Sequence, residues 1–267
     1  MPKLSIIISI TGFDYLREIA LNDCLTCLSN QSFREFELII VEQLAEKESL
    51  IDNKQCKRHE FSNNITHVVL PYQEKGFNKA WCMNVGIRKT TTDVIMFLDS
   101  DMKFDNEYVN NAYNYFTGHK HKFMVGWDKL IKEPGRDEPK ERIVGGQIQT
   151  AGGIFWVTKE FYLDVGCMSE NFFGYGGEDN CFWRRANSKL GGTNKHFVVN
   201  YFNYTIKHSY HHNAIPSKNR LDLLNRSVEQ PEEVIRRLKK YYLGDEKAPL
   251  EINILNIQLR KNPTYKE

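Results

Sequence analysis

The stretch VIMFLDSDM, residues 94–102, is an apolar run that ends in two aspartates one residue apart, Asp99 and Asp101. A run with no polar face reads as a strand buried on both sides, and its carboxylates emerge where that strand stops. Upstream, LSIIISI (4–10), FELIIVEQ (36–43) and ITHVVLP (65–71) read as three more strands. Between the first two, Leu16, Ile19, Ala20, Leu25 and Leu28 recur at helical spacing, and GFNKAWCMNVGIRKTT (76–91) does the same before the fourth strand. Strands alternating with helices predict right-handed crossovers, so the expected class is α/β, with a mostly parallel central sheet flanked by helices. In such a sheet ligands bind at the carboxyl ends of the strands, where Asp99 and Asp101 lie.

Downstream the pattern loosens. GWDKLIKEPGRDEPKERIVGG (126–146) is charged and rich in turn residues, and reads as an excursion or mobile loop. GGIFWVTKEFYLDVG (152–166) predicts a strand and then a helix stopped at Gly166. HFVVNYFNYTIKHS (196–209) reads as a strand, and Pro231 opens a helix that runs to a glycine stop at Gly244. The expected organisation is one domain over 1–226, in two halves (1–102 and 103–226), followed by a helical extension over 227–267.

Composition narrows the partners. With 36 basic and 34 acidic residues among 267, the net charge of +2 gives no field that would argue for nucleic acid. No run approaches the roughly 20 apolar residues needed to span a bilayer, and the first residues show no basic region or cleavage site. The chain is expected to be soluble and cytoplasmic. A peripheral membrane contact is kept open by Arg236, Arg237, Lys239 and Lys240 on the last predicted helix, which reads first as a cap on the domain. Six scattered cysteines fit reduced thiols, and the pair Cys24 and Cys27, on a predicted helix with no second pair, reads as thiols rather than a metal or redox site.

Two carboxylates flanking one residue form a compact hard-oxygen site for Mg²⁺ or Mn²⁺, although an acidic turn capping a strand would look the same. A further ligand has to come from elsewhere. His208, His211 and His212 follow an apolar stretch, and His208, nearest the strand end, is the preferred candidate. An imidazole beside carboxylates favours Mn²⁺, with Mg²⁺ as the alternative.

Four segments, taken in order, resemble the GT-A fold nucleotide-sugar glycosyltransferases, and within them the β-1,4-galactosyltransferase and chondroitin-polymerase-like group. They are GFNKAWCMNVG (76–86), FLDSDM (97–102), AGGIFWVTKEFYLDVGCMSENFFGYGGEDNCFWRR (151–185) and IKHS (206–209). The resemblance implies a GT-A fold, with 1–102 as its nucleotide-binding half and 103–226 as its acceptor or catalytic half, and transfer of a hexose, galactose or N-acetylgalactosamine, from a UDP-sugar to a saccharide or glycoconjugate. It implies Asp101 and His208 as metal ligands, with Asp99 supporting the metal or the nucleotide. Phe77 and Lys79 match positions near the uracil and diphosphate, Gly152 and Gly153 match backbone close to the donor sugar, and Tyr175 stands where a tryptophan commonly covers the sugars. Thr11 and Glu42 complete the donor-side candidates. Glu178 and Asp179 match the catalytic acid pair. The chain departs from the group at Asn180, where a third acid is usual, at Thr205, where a methionine ligand is usual, and at SITGFDY (9–15).

Transfer with inversion needs one carboxylate to take the proton of the attacking hydroxyl while the diphosphate leaves on the other side. Asp179 is expected to be that base, with Glu178 orienting the acceptor or holding the loop. Phe172, Phe173 and Tyr175 are expected to offer flat faces to a sugar ring, and the glycines around them to supply positive φ. Retaining N-acetylgalactosaminyltransferases resemble this segment but typically carry an amide where this chain has Asp179. An inert sugar-binding domain and a nucleotidyltransferase compete with the transferase reading. Residues from about Tyr210 to Arg226 are expected to close over the donor.

Overall fold

The computed structural model describes residues 1–12, 15–45, 65–134, 142–145, 152–174, 176–193, 198–209 and 246–247. The expected closing loop, the C-terminal helix, Tyr175, His211 and His212 lie outside the described residues.

A seven-stranded sheet forms the centre, in the order β10-β6-β9-β4-β1-β2-β3. Strand β1 (Leu4–Thr11) lies in its interior, parallel to β2 (Phe36–Gln43) on one side and to β4 (Val94–Asp99) on the other. Its run of β-branched residues is buried from Leu4 to Ile10, as a strand covered on both faces requires. Strand β3 (Ile65–Leu70) pairs parallel to β2 at the edge. The chain therefore builds outward from β1 to β3 and returns to place β4 on the opposite side of β1. That reversal opens a crevice at the carboxyl ends of β1 and β4.

Helix α1 (Tyr15–Ser29) links β1 to β2, and helix α2 (Lys79–Lys89) links β3 to β4. On α1 the buried residues are Ala20, Leu21, Cys24, Leu25 and Leu28, whereas Ile19, expected in the core, is exposed. Helix α2 is buried from Ala80 to Ile87. It lies so close to the sheet that a Cβ at Gly86 would sit 2.6 Å from Ile7 Cγ2. Glycine is required there by the approach itself.

After β4 the chain makes the short strand β5 (Met102–Lys103), helix α3 (Tyr108–Gly118), β6 (Phe123–Val125), β7 (Lys129–Lys132) and β8 (Arg142–Gly145). Strand β9 (Ile154–Thr158) runs antiparallel between β4 and β6, and helix α4 (Lys159–Val165) follows it, ending at Gly166 with φ +93°. Helix α5 (Glu178–Lys189) and the strands β10 (Asn200–Tyr201) and β11 (Thr205–His208) complete the described fold. Arg185 of α5 donates to the carbonyls of Val165, Gly166 and Cys167, satisfying the open end of α4 and tying the two helices together.

Three expectations need correction. The charged region 126–146 contains β7 and β8, which pair antiparallel. The stretch 196–209 is not one strand: Phe202 N–H bonds back to Val125, Tyr204 N–H bonds to the Phe202 carbonyl, and β10 and β11 enter different sheets. The run 94–102 likewise breaks at Asp99. Its continuation β5 belongs to a second sheet of order β5-β11-β7-β8, beyond the carboxyl end of β4.

Candidate active site

The two aspartates sit on the turn between the sheets. Because β11 pairs antiparallel to β5, His208 lies opposite Met102, the residue after Asp101. Ser209 N–H donates to the Asp101 carbonyl at 2.8 Å, and His208 Nε2 comes within 3.5 Å of Asp101 Oδ2. A carboxylate oxygen and an imidazole nitrogen at that spacing fit a shared first-row divalent cation, whose ligand distances are about 2 Å. Among the described residues no group of three or more His, Cys, Asp or Glu side chains converges on one point. A cation held by Asp101 and His208 would draw its remaining ligands from substrate oxygens and water.

The other half of the site comes from α2 and α5. Asn78 caps α2, its side chain accepting from Trp81 N–H, and so places Lys79 in the first turn, aimed at the end of β4. Lys79 Nζ is 2.6 Å from Asp99 Oδ1 and 3.8 Å from Glu178 Oε1. One ammonium thus joins the strand-end acids to the acid pair of α5. Glycines deliver that pair: Gly174, Gly176 and Gly177 have φ of +82°, +85° and +110°, a backbone path that other residues follow only under strain. Gly174 N–H donates to the Phe77 carbonyl at 2.8 Å, which anchors the segment beside α2.

The electrostatics follow from crowding. Burial drives the Asp99 carboxyl above its ordinary value, Lys79 opposes the shift, and Asp101 and Asp179 add to it. Glu178 is pushed up to about 7, first by burial and then by Asp179, against the pull of Lys79. Burial works against the charge of Lys79, but Asp99, Glu178 and Asp179 outweigh it and hold the ammonium above its usual range. Glu178 is buried, and its Oε2 has no hydrogen-bond partner among the described residues. Asp179, next to it, is half-exposed, and its Oδ1 accepts from Asn180 N–H at 2.7 Å.

A carboxyl whose folded value lies near 7, against 4.5 for the free group, carries no penalty while both states are protonated. The penalty grows as pH rises from about 4.5 to 7, because the unfolded chain gives up its proton first. We expect Glu178→Gln to raise the stability of the ligand-free protein by about 3 kcal/mol above pH 7, with the gain fading toward pH 4.5. Chemical denaturation at pH 5 and 8 measures it.

The remaining candidates divide. Gly153 serves the turn: its carbonyl accepts from Asp99 N–H at 2.8 Å, its φ is +91°, and an added Cβ would lie 2.8 Å from Met102 Cε. The positive φ accounts for a glycine there, since Met102 Cε is the flexible end of its side chain and could give way. The Gly152 carbonyl accepts from Trp127 Nε1. Phe77 packs against the core beside the segment it anchors. Thr11, at the tip of β1, donates to the Gln43 carbonyl. Glu42 is fully buried, with Oε2 3.0 Å from His67 Nε2. Phe172, expected to face a sugar, is buried at 2% exposure against Cys181, so it supports the segment from beneath. Phe173 is half-buried, with the Lys75 ammonium 5.5 Å from its ring centre. Cys24 and Cys27 are free thiols. Reading the sequence alone assigns no role to Asn78, Asn84 or Glu170. The available signal for the asparagines is Asn78 just before a helix start and Asn84 within the apolar stretch 80–87.

Comparison with known proteins identifies the family and the fold. Residues 10–190, about two thirds of the chain, match the family described as Glycosyl transferase family 2. β-1,4-Galactosyltransferase 1 of Bos taurus is 28% identical over 123 residues, a match covering 45% of this chain and 27% of that protein. A 1–349 fragment of S. aureus TarS, solved in complex with UDP-GlcNAc, superposes with a TM-score of 0.60 at 15% identity, over 89% of this chain and 70% of that one. GalNAc-T7, solved with UDP, GalNAc and Mn²⁺, superposes with a TM-score of 0.60 at 14% identity, over 85% and 48%. The chain spans 42% of a longer TarS structure. The structural likenesses establish the GT-A fold, the sequence match extends across the crevice and both acid pairs, and the chain belongs to glycosyl transferase family 2.

Proposed function

We propose that the protein is an inverting, metal-dependent glycosyltransferase that moves a hexose, galactose or N-acetylgalactosamine, from a UDP-sugar to a saccharide hydroxyl. The observation that carries this reading is the Lys79 bridge, which brings the acids of two distant segments to one crevice at the end of β4. The structural neighbours solved with UDP-GlcNAc, and with UDP, GalNAc and Mn²⁺, support the donor class and the metal.

Asp101 and His208 would hold the cation, whose chemistry is to carry charge on the departing diphosphate. Lys79 and the N-terminus of α2 add positive potential on the same side. Asp179, the more accessible of its pair, takes the proton of the acceptor hydroxyl as that oxygen attacks the anomeric carbon. Glu178, buried and held toward Lys79, fixes the first turn of α5 and the position of Asp179. A carboxylate rather than an amide at 179 favours inversion. No described helix is long and apolar enough to cross a membrane, and we place the reaction in the cytoplasm on the strength of the free thiols.

A screen of UDP-galactose, UDP-N-acetylgalactosamine, UDP-glucose and UDP-N-acetylglucosamine, reading released UDP with and without Mn²⁺, tests the proposal. UDP should be released from one or both galacto-configured donors, lost on chelation and restored by Mn²⁺. Binding of donors without release of UDP from any of them would point to an inert sugar-binding domain.

A further inference from the structure

Outside the reacting groups, the most completely bonded polar cluster in the described fold lies beneath the catalytic segment. Asn84, on α2 and 2% exposed, uses all of its hydrogen-bonding capacity. Its Nδ2 donates to the Met168 carbonyl at 2.9 Å and to Glu170 Oε1 at 2.8 Å. Its Oδ1 accepts from Tyr162 O–H at 2.6 Å and from Met168 N–H at 3.2 Å. Every one of these partners belongs to α4 or to the loop that leaves it. Asn78, fully buried at the start of the same helix, donates from Nδ2 to the Glu170 carbonyl at 2.6 Å. Its backbone N–H donates to Gln43 Oε1 at 2.7 Å, and Gln43 Nε2 donates to the Gly76 carbonyl at 3.0 Å.

A buried carboxylate and the buried side chains of Asn78, Asn84, Gln43 and Tyr162 are costly unless satisfied, and apolar residues would fill the same volume without that cost. What the polar version supplies is register. Two donors and two acceptors at fixed angles admit one placement of the loop, where an apolar contact would let it slide. The loop so held, 166–171, leads directly into the glycine segment and Glu178–Asp179, and α2 also carries Lys79 to Asp99.

Building on the transferase reading, we propose that Asn84 and Glu170 are positioning residues that lock the approach to the catalytic acids onto α2, so that one helix sets the gap between the strand-end aspartates and Asp179. They touch no substrate. They act through the path of residues 171–179.

The test uses Asn84→Asp, Glu170→Gln, the double variant, and Tyr162→Phe, with two readouts. Asn84→Asp turns the 2.8 Å contact into two facing carboxylates. In the double variant an amide again faces a carboxylate, with the roles exchanged, while the Met168 carbonyl stays without the donor that Asn84 Nδ2 supplied. Hydrogen exchange of peptides covering 168–179 should quicken by at least about tenfold in Asn84→Asp relative to β1, β2 and β4, and return part of the way in the double variant. Transfer kcat should fall on the order of 100-fold in Asn84→Asp with the donor KM within about twofold, and recover in part in the double variant. Tyr162→Phe removes one donor while keeping the ring. If Asn84→Asp lowers stability everywhere, Tyr162→Phe should still give locally faster exchange at 168–179. Unchanged exchange there in a folded Asn84→Asp or Tyr162→Phe protein, or a kcat loss as large in the double variant as in Asn84→Asp, would overturn the proposal. The exchange measurement stands apart from turnover, so a wild-type protein inactive on every donor would count against the transferase reading and leave the positioning claim to be decided by exchange alone.

Discussion

Asp179→Asn is expected to lower glycosyl transfer by about 10³-fold while leaving UDP-sugar affinity within about twofold. The amide keeps the size of the side chain and can keep the bond that Asn180 N–H makes to Oδ1. It cannot take a proton. Of the two adjacent acids, Glu178 is buried and turned toward Lys79, and Asp179 is the more exposed. A large loss of kcat with intact donor binding is the signature of a group that acts in the transition state. The measurement is steady-state transfer beside a UDP-sugar titration. Residual turnover within about tenfold of wild type would remove Asp179 from the role of base.

Lys79→Met is expected to damage both stability and donor binding. It leaves Asp99 and Glu178 facing each other across a largely buried gap without their shared cation. Removing one partner of such a pair costs about 3 kcal/mol, and the figure here is reduced by the residual exposure of Lys79 and Asp99. The deficit depends on pH. Without Lys79 both carboxyls hold their protons to higher pH, so the loss is greatest above about pH 7 and shrinks as they become neutral on acidification. Thermal unfolding at pH 5 and 8, with UDP titrated at pH 8, measures both effects. A Lys79→Met protein as stable as wild type at pH 8 would show that the ammonium is not the counter-charge of this cluster.

Much of the fold was legible in short runs of sequence. LSIIISI and VIMFL carry nothing more polar than Ser5 and Ser9 because both of their faces are covered. Gly166 stops α4 in the left-handed conformation that its residue type announces. The second sheet was hidden for the opposite reason. Strand β7 buries Leu130 between exposed lysines, so it carries no run long enough to stand out from its charged surroundings. The stretch 196–209 misled because Val199, Phe202 and Ile206 are all buried, but in two different layers joined by a bend.

The site was legible as parts, and its assembly was not. Composition and spacing put carboxylates at a strand end and acids at a helix start, but the Lys79 bridge depends on the return of the chain across β1, and only the family resemblance had aligned those segments. Phe172 was read as a sugar platform because an aromatic beside glycines looks exposed, and it is buried. Asn84 was invisible because an asparagine on a helix ordinarily faces water, and α2 has almost no face that does.

The most direct test of this mechanism is a crystal structure of the protein with UDP, Mn²⁺ and a saccharide acceptor. Mn²⁺ is expected to be bound by Asp101 and His208, with the Asp179 carboxylate about 3 Å from an acceptor hydroxyl on the far side of the donor sugar position. Mn²⁺ and diphosphate bound away from Asp101 and His208, or an acceptor that leaves Asp179 facing only solvent, would contradict it.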